Sequence, residues 1–465
     1  MARLVAAAYV CEKLRDMHVI DKPFAISRRQ ILRHSALLGG GALVAGWPLG
    51  AQARDARDIA ASWPGVAALI EDYVGTGKLP NMVAALGWGQ AAPDILARGQ
   101  RSFAGGGAAG PDTIYRIYSM TKPITGMAAM ICVAEGLLRL DQPIAELLPA
   151  FADMQVQKDY DGAITPDNLE PAKRLITLRH LLTHTAGLGY LITQQGPIRD
   201  AYASAGIAAA YLTNLPLPPE LPNPVPAPSL AAFADNLAQL PLVVQPGEQW
   251  LYSASFDLLA RVIEVASGQD FGSFLQERLL DPCGMDSTGF QLAAGNVDRF
   301  TANYVLLGGM PLPIDLPESS VFLGQPAFPF GGGGLLSTAR DYDRFLQMLA
   351  GYGMIDGKRV MSEAAVRMGT SDLSPATQVP GGGFEGGVDW GHGAGGLAGK
   401  AGRITEGMFG WGGAAGTMAM VNLRIGLRMS LMTQYMPAET YPMHRDFPRI
   451  AMADAQLQTR AMRAR

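Results

Sequence analysis

The sequence predicts an α/β fold: an antiparallel sheet flanked by helices and built from both ends of the chain, with a mostly helical lobe inserted between them. Three observations lead there. Short apolar segments of strand character lie near both ends, at Asn81–Gly89 and again at Gly416–Asn422 and Leu427–Gln434. The long middle reads as helices joined by long loops. Hydrophobic residues make up 48% of the 465 and charged residues only 17%, a globular rather than a disordered composition, and the length allows two lobes sharing one large core.

Taken in order, Ile59–Val74 predicts a helix. Asn81–Gly89 predicts a strand, and Asp94–Arg98 pairs with it across a Gln-Ala-Ala-Pro turn. Gly105–Gly110 reads as loop. Thr113–Tyr118 leads into a helix from Ser119 to Leu137. Leu178–Thr183 is a short helix and Phe256–Ser267 a longer one. Phe271–Leu280 is another, stopped by Asp281-Pro282, and Thr338–Leu349 is amphipathic. Two segments break the pattern. Leu215–Ser229 holds seven prolines in fifteen residues, and Met310–Phe330 is rich in Pro and Gly. Loops this long in a compact protein form lids or binding walls. The last two strands predict a hairpin turning near Arg424–Gly426, and a helix over Phe447–Arg463 closes the chain. The expected division is a sheet lobe at roughly 54–118 and 385–465 and a helical lobe at roughly 119–384. A single domain spans 54–440, and a C-terminal helix in 441–465 packs on the sheet.

The first 53 residues read differently. They carry seven Lys/Arg against three Asp/Glu, whereas the remainder carries 30 basic and 38 acidic residues. Ser27-Arg28-Arg29-Gln30-Ile31-Leu32 matches a twin-arginine signal ahead of the apolar stretch Ser35–Leu49. Ala51-Gln52-Ala53 is an A-x-A cleavage site, so export to the periplasm or beyond is expected, with a mature start near Arg54. The stretch is shorter than the ~20 residues of a membrane span and is interrupted by Gly and Pro48. The acidic body argues against a nucleic-acid partner. Of three cysteines, Cys11 falls in the leader. Cys132 and Cys283 are expected to be buried and unpaired, a disulfide between them being the alternative.

The chemistry centres on Ser119-Met120-Thr121-Lys122. A serine hydroxyl is a poor nucleophile until a base takes its proton. Residues three apart on a helix share a face, so a Lys122 amine can reach Ser119 Oγ. A lysine acts as a base when burial or a neighbouring cation lowers its pKa. Pro123 fits a helix start at Ser119, where free backbone N–H groups can stabilise an oxyanion. A bare S-x-x-K is a weak signal, and an ordinary helix cap with an exposed lysine competes with it. Of the eight lysines, however, Lys122 alone has a serine three residues before it.

The surrounding segment, Tyr115-Arg116-Ile117-Tyr118-Ser119-Met120-Thr121-Lys122-Pro123, resembles the nucleophile region of the serine β-lactamase and penicillin-binding-protein superfamily. It is most similar to the class C β-lactamase-like branch and, within it, to family VIII carboxylesterases. Gly136–Asp141 with Pro143, Leu178–Leu188, Gln245-Pro246-Gly247 with Trp250, Asp281–Met285 and Gly331–Thr338 continue the resemblance, which covers roughly residues 60 to 435. It implies a β-lactamase/penicillin-binding-protein-like fold. It also implies that Tyr252, in Tyr252-Ser253-Ala254, shares the proton work with Lys122. The family's Asn is replaced by Ala254. Its K-T-G is absent; Trp411-Gly412-Gly413-Ala414, just before the Gly416 strand, resembles the W-G-G variant of esterases and acyltransferases. By that analogy the Ala414 and Ser119 N–H groups form the oxyanion hole, and the glycines let the backbone approach the acyl group.

These departures point to a carboxylic ester hydrolase working through an acyl-enzyme, with transesterase activity as an extension. A β-lactamase or D-amino-acid peptidase is the alternative, and a catalytically silent binding module the alternative of another class. The expected partner is a small ester, with no metal and no cofactor. His180 and His184 read as structural, because no zinc-protease glutamate follows His180. Trp88 and Trp250 read as core, and Gly331–Gly334 as a turn beside the cleft. Neither Arg403 nor Arg424 can be placed in the site from sequence. No serine sits in G-x-S-x-G.

Overall fold

The computed structural model describes residues 56–215, 223–377 and 387–463. Residues 1–53, where the sequence predicts a signal, and part of the proline-rich stretch, 216–222, lie outside the described residues. The described residues begin with a short helix, Ala56–Ser62, and α1, Pro64–Ile70, ending in a π-turn at Glu71–Gly75. The single helix expected over 59–74 is thus broken at Trp63 (φ −125°, ψ 58°). Pro64 is the cause, since its ring disfavours helical backbone in the residue before it.

The strands of the main sheet are β1 (Asn81–Trp88), β2 (Asp94–Ser102) and β3 (Gly105–Ala108) from the front of the chain. A short pair, β4 (Ile114–Arg116) and β5 (Leu336–Thr338), stands beside it. From the back come β6 (Trp390–His392), β7 (Leu397–Gly399), β8 (Met408–Gly412), β9 (Met418–Asn422) and β10 (Leu427–Met432). The order is β6-β7-β8-β9-β10-β1-β2-β3, every neighbour antiparallel. The two ends of the chain therefore meet at β1–β10, where Ala84 pairs with Leu431 and Leu86 with Met429.

β1 is apolar at almost every position because it is buried on both faces. Met82, Ala84 and Leu86 pack with Trp63, Val66, Met443 and Phe447 beneath α1 and the C-terminal helix, Met443–Arg463. Val83 and Ala85 face the large core shared with the middle of the chain. Asp454 of the C-terminal helix receives the Gly65 and Val66 N–H groups at 3.1 and 3.0 Å, so the last helix caps α1. No helix among the described residues is long and apolar enough to cross a membrane.

In the middle lie α2 (Thr121–Ala134), α3 (Leu178–Leu182), α4 (Ser255–Ser267) and α5 (Ala339–Ala350). α2 is buried from Thr121 through Cys132. Thr338 caps α5 by accepting from the Asp341 N–H at 3.0 Å. Although α5 falls in the range expected for the helical lobe, it packs on the sheet. Arg428 of β10 and Asp343 of α5, both buried, are joined by two bonds of 3.0 Å, and Arg428 also donates to the carbonyls of Gly89 and Ala91.

Several expectations need correction. Within Gly105–Gly110, expected as loop, Gly105–Ala108 forms the edge strand β3; three glycines at positive φ give no alternating pattern to read. The Pro-rich Met310–Phe330 stretch opens with a strand, Met310–Asp315, that pairs with Asn303–Leu307. Pro311 and Pro313 obscured it, yet a two-stranded ribbon leaves N–H positions that need no partner. β6, β7 and β8 are short and glycine-rich and were not foreseen. The C-terminal helix begins at Met443, four residues early, and carries Pro448 within it. Cys132 and Cys283 are buried and unpaired, so the disulfide alternative is not realised, and burial pushes both thiols up to about 12.

Arg428→Met should strand Asp343 as a buried, unpaired acid. Urea unfolding should show a loss of about 3–5 kcal/mol, and a loss below about 1 kcal/mol would contradict the anchoring of α5 to the sheet.

Candidate active site

β4 delivers the chain to Ser119. Arg116 is fully buried at its end, with Nε 2.7 Å from Asp315 Oδ2 and Nη1 2.7 Å from the Thr301 carbonyl. An unpaired buried guanidinium would be strongly unfavourable, so this pair holds β4 in place. Tyr118 follows with φ at +41°, and its hydroxyl accepts from Asn303 Nδ2 at 3.2 Å. Non-glycine residues at positive φ store strain, often at functional sites. Ser119 then sits in a one-turn 3-10 helix, Tyr118–Met120, that runs into α2. The helix expected from Ser119 to Leu137 is thus a 3-10 turn followed by α2.

Lys122 lies on the first turn of α2 with 1% of its surface exposed. Its Nζ is 3.3 Å from Ser119 Oγ and 2.6 Å from the Gly332 carbonyl. Tyr252 approaches the serine from the other side, its hydroxyl 2.5 Å from Oγ. Lys122 Nζ also stands 4.5 Å from the centre of the Tyr252 ring. The structure therefore brings Ser119, Lys122 and Tyr252 together, three residues that span 133 positions of sequence.

Tyr252 is walled in by rings. Trp250 and Trp411 lie roughly parallel to it, 6.2 and 6.0 Å away, and Tyr190 stands edge-on at 5.2 Å. His184 is 4.9 Å away. Its Nδ1 accepts from the Ser253 N–H at 3.2 Å, so the proton sits on Nε2. Burial, with Lys122 nearby, holds the His184 pKa well below the usual range, and the ring is neutral. His184 is therefore more than the helix residue expected; it supports the tyrosine. Trp250 is buried as expected, but it too belongs to the site. His180 keeps a structural role, its Nδ1 accepting from the Thr177 N–H at 3.2 Å to cap α3. Trp88 stacks on Trp63 at 6.4 Å, far from this chemistry. No cluster of three potential metal ligands occurs among the described residues.

Two sequence segments read separately turn out to hold each other. Leu251 N–H donates to the His184 carbonyl at 2.8 Å, Ala254 N–H to Gly189 at 3.0 Å and Gly247 N–H to Thr185 at 2.7 Å. Tyr252 thus hangs from the loop that follows α3.

Trp411 and Gly412 end β8, and Gly413–Thr417 turns the chain into β9. The W-G-G motif thus lies just before the 418–422 strand, as the sequence predicts, and it also closes β8, a strand the sequence did not reveal. Gly413 N–H donates to the Thr417 carbonyl at 2.7 Å. Among the described residues, no hydrogen bond takes the Ala414 N–H, and Ala414 is partly exposed. A side chain at Gly413 would collide with the Ile117 carbonyl, two residues before the nucleophile, and with the Thr417 hydroxyl. One at Gly412 would collide with the ring of His444, whose Nε2 is 3.0 Å from the Thr417 carbonyl. Gly413 thus lets this turn lie against the backbone leading to Ser119, and Gly412 lets it lie against His444. Arg403 and Arg424 are exposed and paired with Asp389 and Glu406, 3.8 and 3.1 Å away, outside the site.

The sequence reading missed the part played by Gly331–Gly334. Gly332 offers its carbonyl to Lys122, and Gly331 accepts the Thr125 hydroxyl at 2.8 Å. The signal was present as four consecutive glycines, a sign of close backbone approach.

Comparison with known proteins bears on the family and the fold. The family model described as Beta-lactamase matches residues 66–452. Protein Rv1367c of Mycobacterium tuberculosis is 39% identical over 261 residues, covering 56% of this chain and 60% of that protein, so the chain spans less than two-thirds of that relative's length. Esterase EstB of Burkholderia gladioli is 32% identical over 354 residues, covering 69% of this chain and 77% of EstB. Among solved structures, EstCE1, a hydrolase with promiscuous acyltransferase activity, superposes with a TM-score of 0.66 at 23% identity, covering 86% of this chain and 98% of the other. The LovD6 mutant of simvastatin synthase from Aspergillus terreus gives 0.65 at 24% identity, with the same coverage. Both structures share the fold.

Gly413→Ala should slow fluorophosphonate labelling of Ser119 by about 100-fold, because the turn must move away from the Ile117 carbonyl. The labelling rate of the folded variant measures this, and a rate within about 3-fold of the parent would contradict the close approach.

Proposed function

The chain belongs to the beta-lactamase family, and on that premise we propose that it hydrolyses carboxylic esters through an acyl-enzyme on Ser119. The observation that carries this reading is the convergence on Ser119 Oγ of the Tyr252 hydroxyl at 2.5 Å and the Lys122 amine at 3.3 Å. Tyr252 makes the shorter contact and relays the serine proton. Lys122, whose Nζ stands 4.5 Å from the centre of the Tyr252 ring, is the base at the end of that relay.

Ser119 Oγ attacks the carbonyl carbon as its proton passes to the Tyr252 oxygen and the Tyr252 proton passes on to the Lys122 amine. The oxyanion is received by the N–H groups of Ala414 and Ser119. The C–O bond breaks, and the alcohol leaves with the proton returned from Tyr252. Water then adds to the acyl-enzyme by the same path in reverse, releasing the acid and restoring the serine. An alcohol in place of water would give acyl transfer.

Three features favour esters over β-lactams. Ala254 stands where an amide-binding Asn would be. Trp411 occupies the position of the lysine that would hold a β-lactam carboxylate. Arg403 and Arg424 are engaged in exposed ion pairs and supply no replacement. The name of EstB and the description of EstCE1 as a hydrolase with promiscuous acyltransferase activity point the same way. A β-lactamase or D-amino-acid peptidase is the competing reading within the same chemistry.

Ser119→Ala should reduce hydrolysis of short p-nitrophenyl esters by about 1,000-fold or more with an unchanged circular dichroism spectrum. Retained turnover would refute the assignment. The parent protein should cleave nitrocefin with a kcat/KM about 100-fold below that for p-nitrophenyl butyrate. Comparable values on both substrates would overturn the preference for esters.

A further inference from the structure

Asp257 is a buried acid that the reaction above leaves unused. It lies in the first turn of α4, five residues beyond Tyr252, with no exposed surface. Its Oδ1 accepts the Gly332 N–H at 2.9 Å. Its Oδ2 has no hydrogen-bond partner among the described residues. Gly332 in turn offers its carbonyl to Lys122 Nζ at 2.6 Å. A Cβ at Gly332 would lie 2.9 Å from Asp257 Oδ2, and one at Gly331 would be 2.5 Å from the Phe256 carbonyl. The glycine turn is therefore pressed onto the start of α4 on one side. On the other it receives Lys122 and Thr125 of α2.

Resting on the reading of Ser119 and Lys122 given above, we infer that Asp257 is a positioning residue that clamps the Gly332 N–H, fixing the Gly332 carbonyl that aims the Lys122 amine at Ser119. The geometry leaves few other routes. Lys122 has no solvent to orient it, and its closest partner is that carbonyl. The carbonyl belongs to a glycine, the residue with the widest choice of backbone angles. Without a fixed acceptor on its N–H side, the turn could rotate its carbonyl away from the lysine. The peptide that carries this N–H ends in the Gly331 carbonyl, which accepts the Thr125 hydroxyl at 2.8 Å, so the peptide plane entering Gly332 is held at both ends. The arrangement is expensive in fold terms, since burying a carboxyl with one unpartnered oxygen is unfavourable. Burial pushes the Asp257 carboxyl up to about 7, with the Gly332 N–H and Lys122 opposing that rise. Perturbed, buried acids of this kind concentrate at functional sites.

The test compares Asp257→Ala and Asp257→Asn by turnover of p-nitrophenyl butyrate, normalised to the amount of Ser119 that a fluorophosphonate labels. In Asp257→Ala, kcat per labelled site should fall about 30- to 100-fold, with KM changed by less than about 2-fold and the labelling rate falling in parallel. Asp257→Asn keeps an oxygen for the Gly332 N–H and should recover kcat to within about 5-fold of the parent. A purely structural role would lower the melting temperature and the labelled fraction but leave kcat per labelled site at the parent value, and that result overturns the clamp. A folded Asp257→Asn variant that is as inactive as the alanine variant overturns it too, because charge would then be the operative property. Should the alanine variant fail to fold, the same 5-fold limit on the Asn variant decides. Absence of any label on Ser119 in the parent protein would instead overturn the reading of the site on which the clamp rests.

Discussion

A lysine amine removed from water, as Lys122 is, must find its partners inside the protein, and the rest of the site follows from where those partners are. Lys122 has the Gly332 carbonyl, the Ser119 hydroxyl and the face of the Tyr252 ring. Each comes from a different part of the chain. Ser119 arrives on a strained turn after β4, Gly332 on a glycine-rich loop before β5, and Tyr252 on the segment that opens α4. The β4–β5 pair holds the first two together, with Ile114 opposite Thr338 and Arg116 opposite Leu336. The nucleophile and the carbonyl that anchors its lysine are thus positioned by one short ribbon.

Close backbone approach is the second constraint, and it explains why glycine recurs around the site. Gly126 lets the Ala394 carbonyl reach α2, and Gly395, at a φ of +83°, sits against the Lys122 carbonyl. Gly413 admits the Ile117 carbonyl. In each case a side chain would occupy space already taken by backbone, which cannot yield as a flexible side chain can. The large rings then fill the outer side. Trp250, Trp411, Tyr190 and His184 fix the plane of Tyr252, so the hydroxyl meets Ser119 without a search among rotamers.

Much of this was legible in the sequence, and the parts that were not have a common cause. The strands at 81–88, 94–102, 418–422 and 427–432 were visible because apolar runs bounded by turns mark buried strands. The amphipathic period of 339–350 was equally plain. β3, β6, β7 and β8 were hidden because Gly-rich segments carry no period. The S-x-x-K spacing exposed Ser119 and Lys122, and resemblance supplied Tyr252 and the 411–414 turn. Asp257 and the role of Gly332 stayed hidden. An aspartate in an apolar helix and a run of glycines each have ordinary explanations until folding puts them 2.9 Å apart. His184 and Trp250 were read as structural for the same reason: their ordinary packing role is real, and only the fold shows what they pack against.

The account turns on one covalent event, the transfer of an acyl group to Ser119 Oγ. The most direct measurement is mass spectrometry of the protein quenched in acid during steady turnover of p-nitrophenyl acetate, followed by peptide mapping. The account predicts an acetyl group on the peptide containing Ser119–Lys122, located on the serine and absent after turnover is complete. Continued turnover with no acetyl on that peptide, or with the acetyl on another residue, would contradict it.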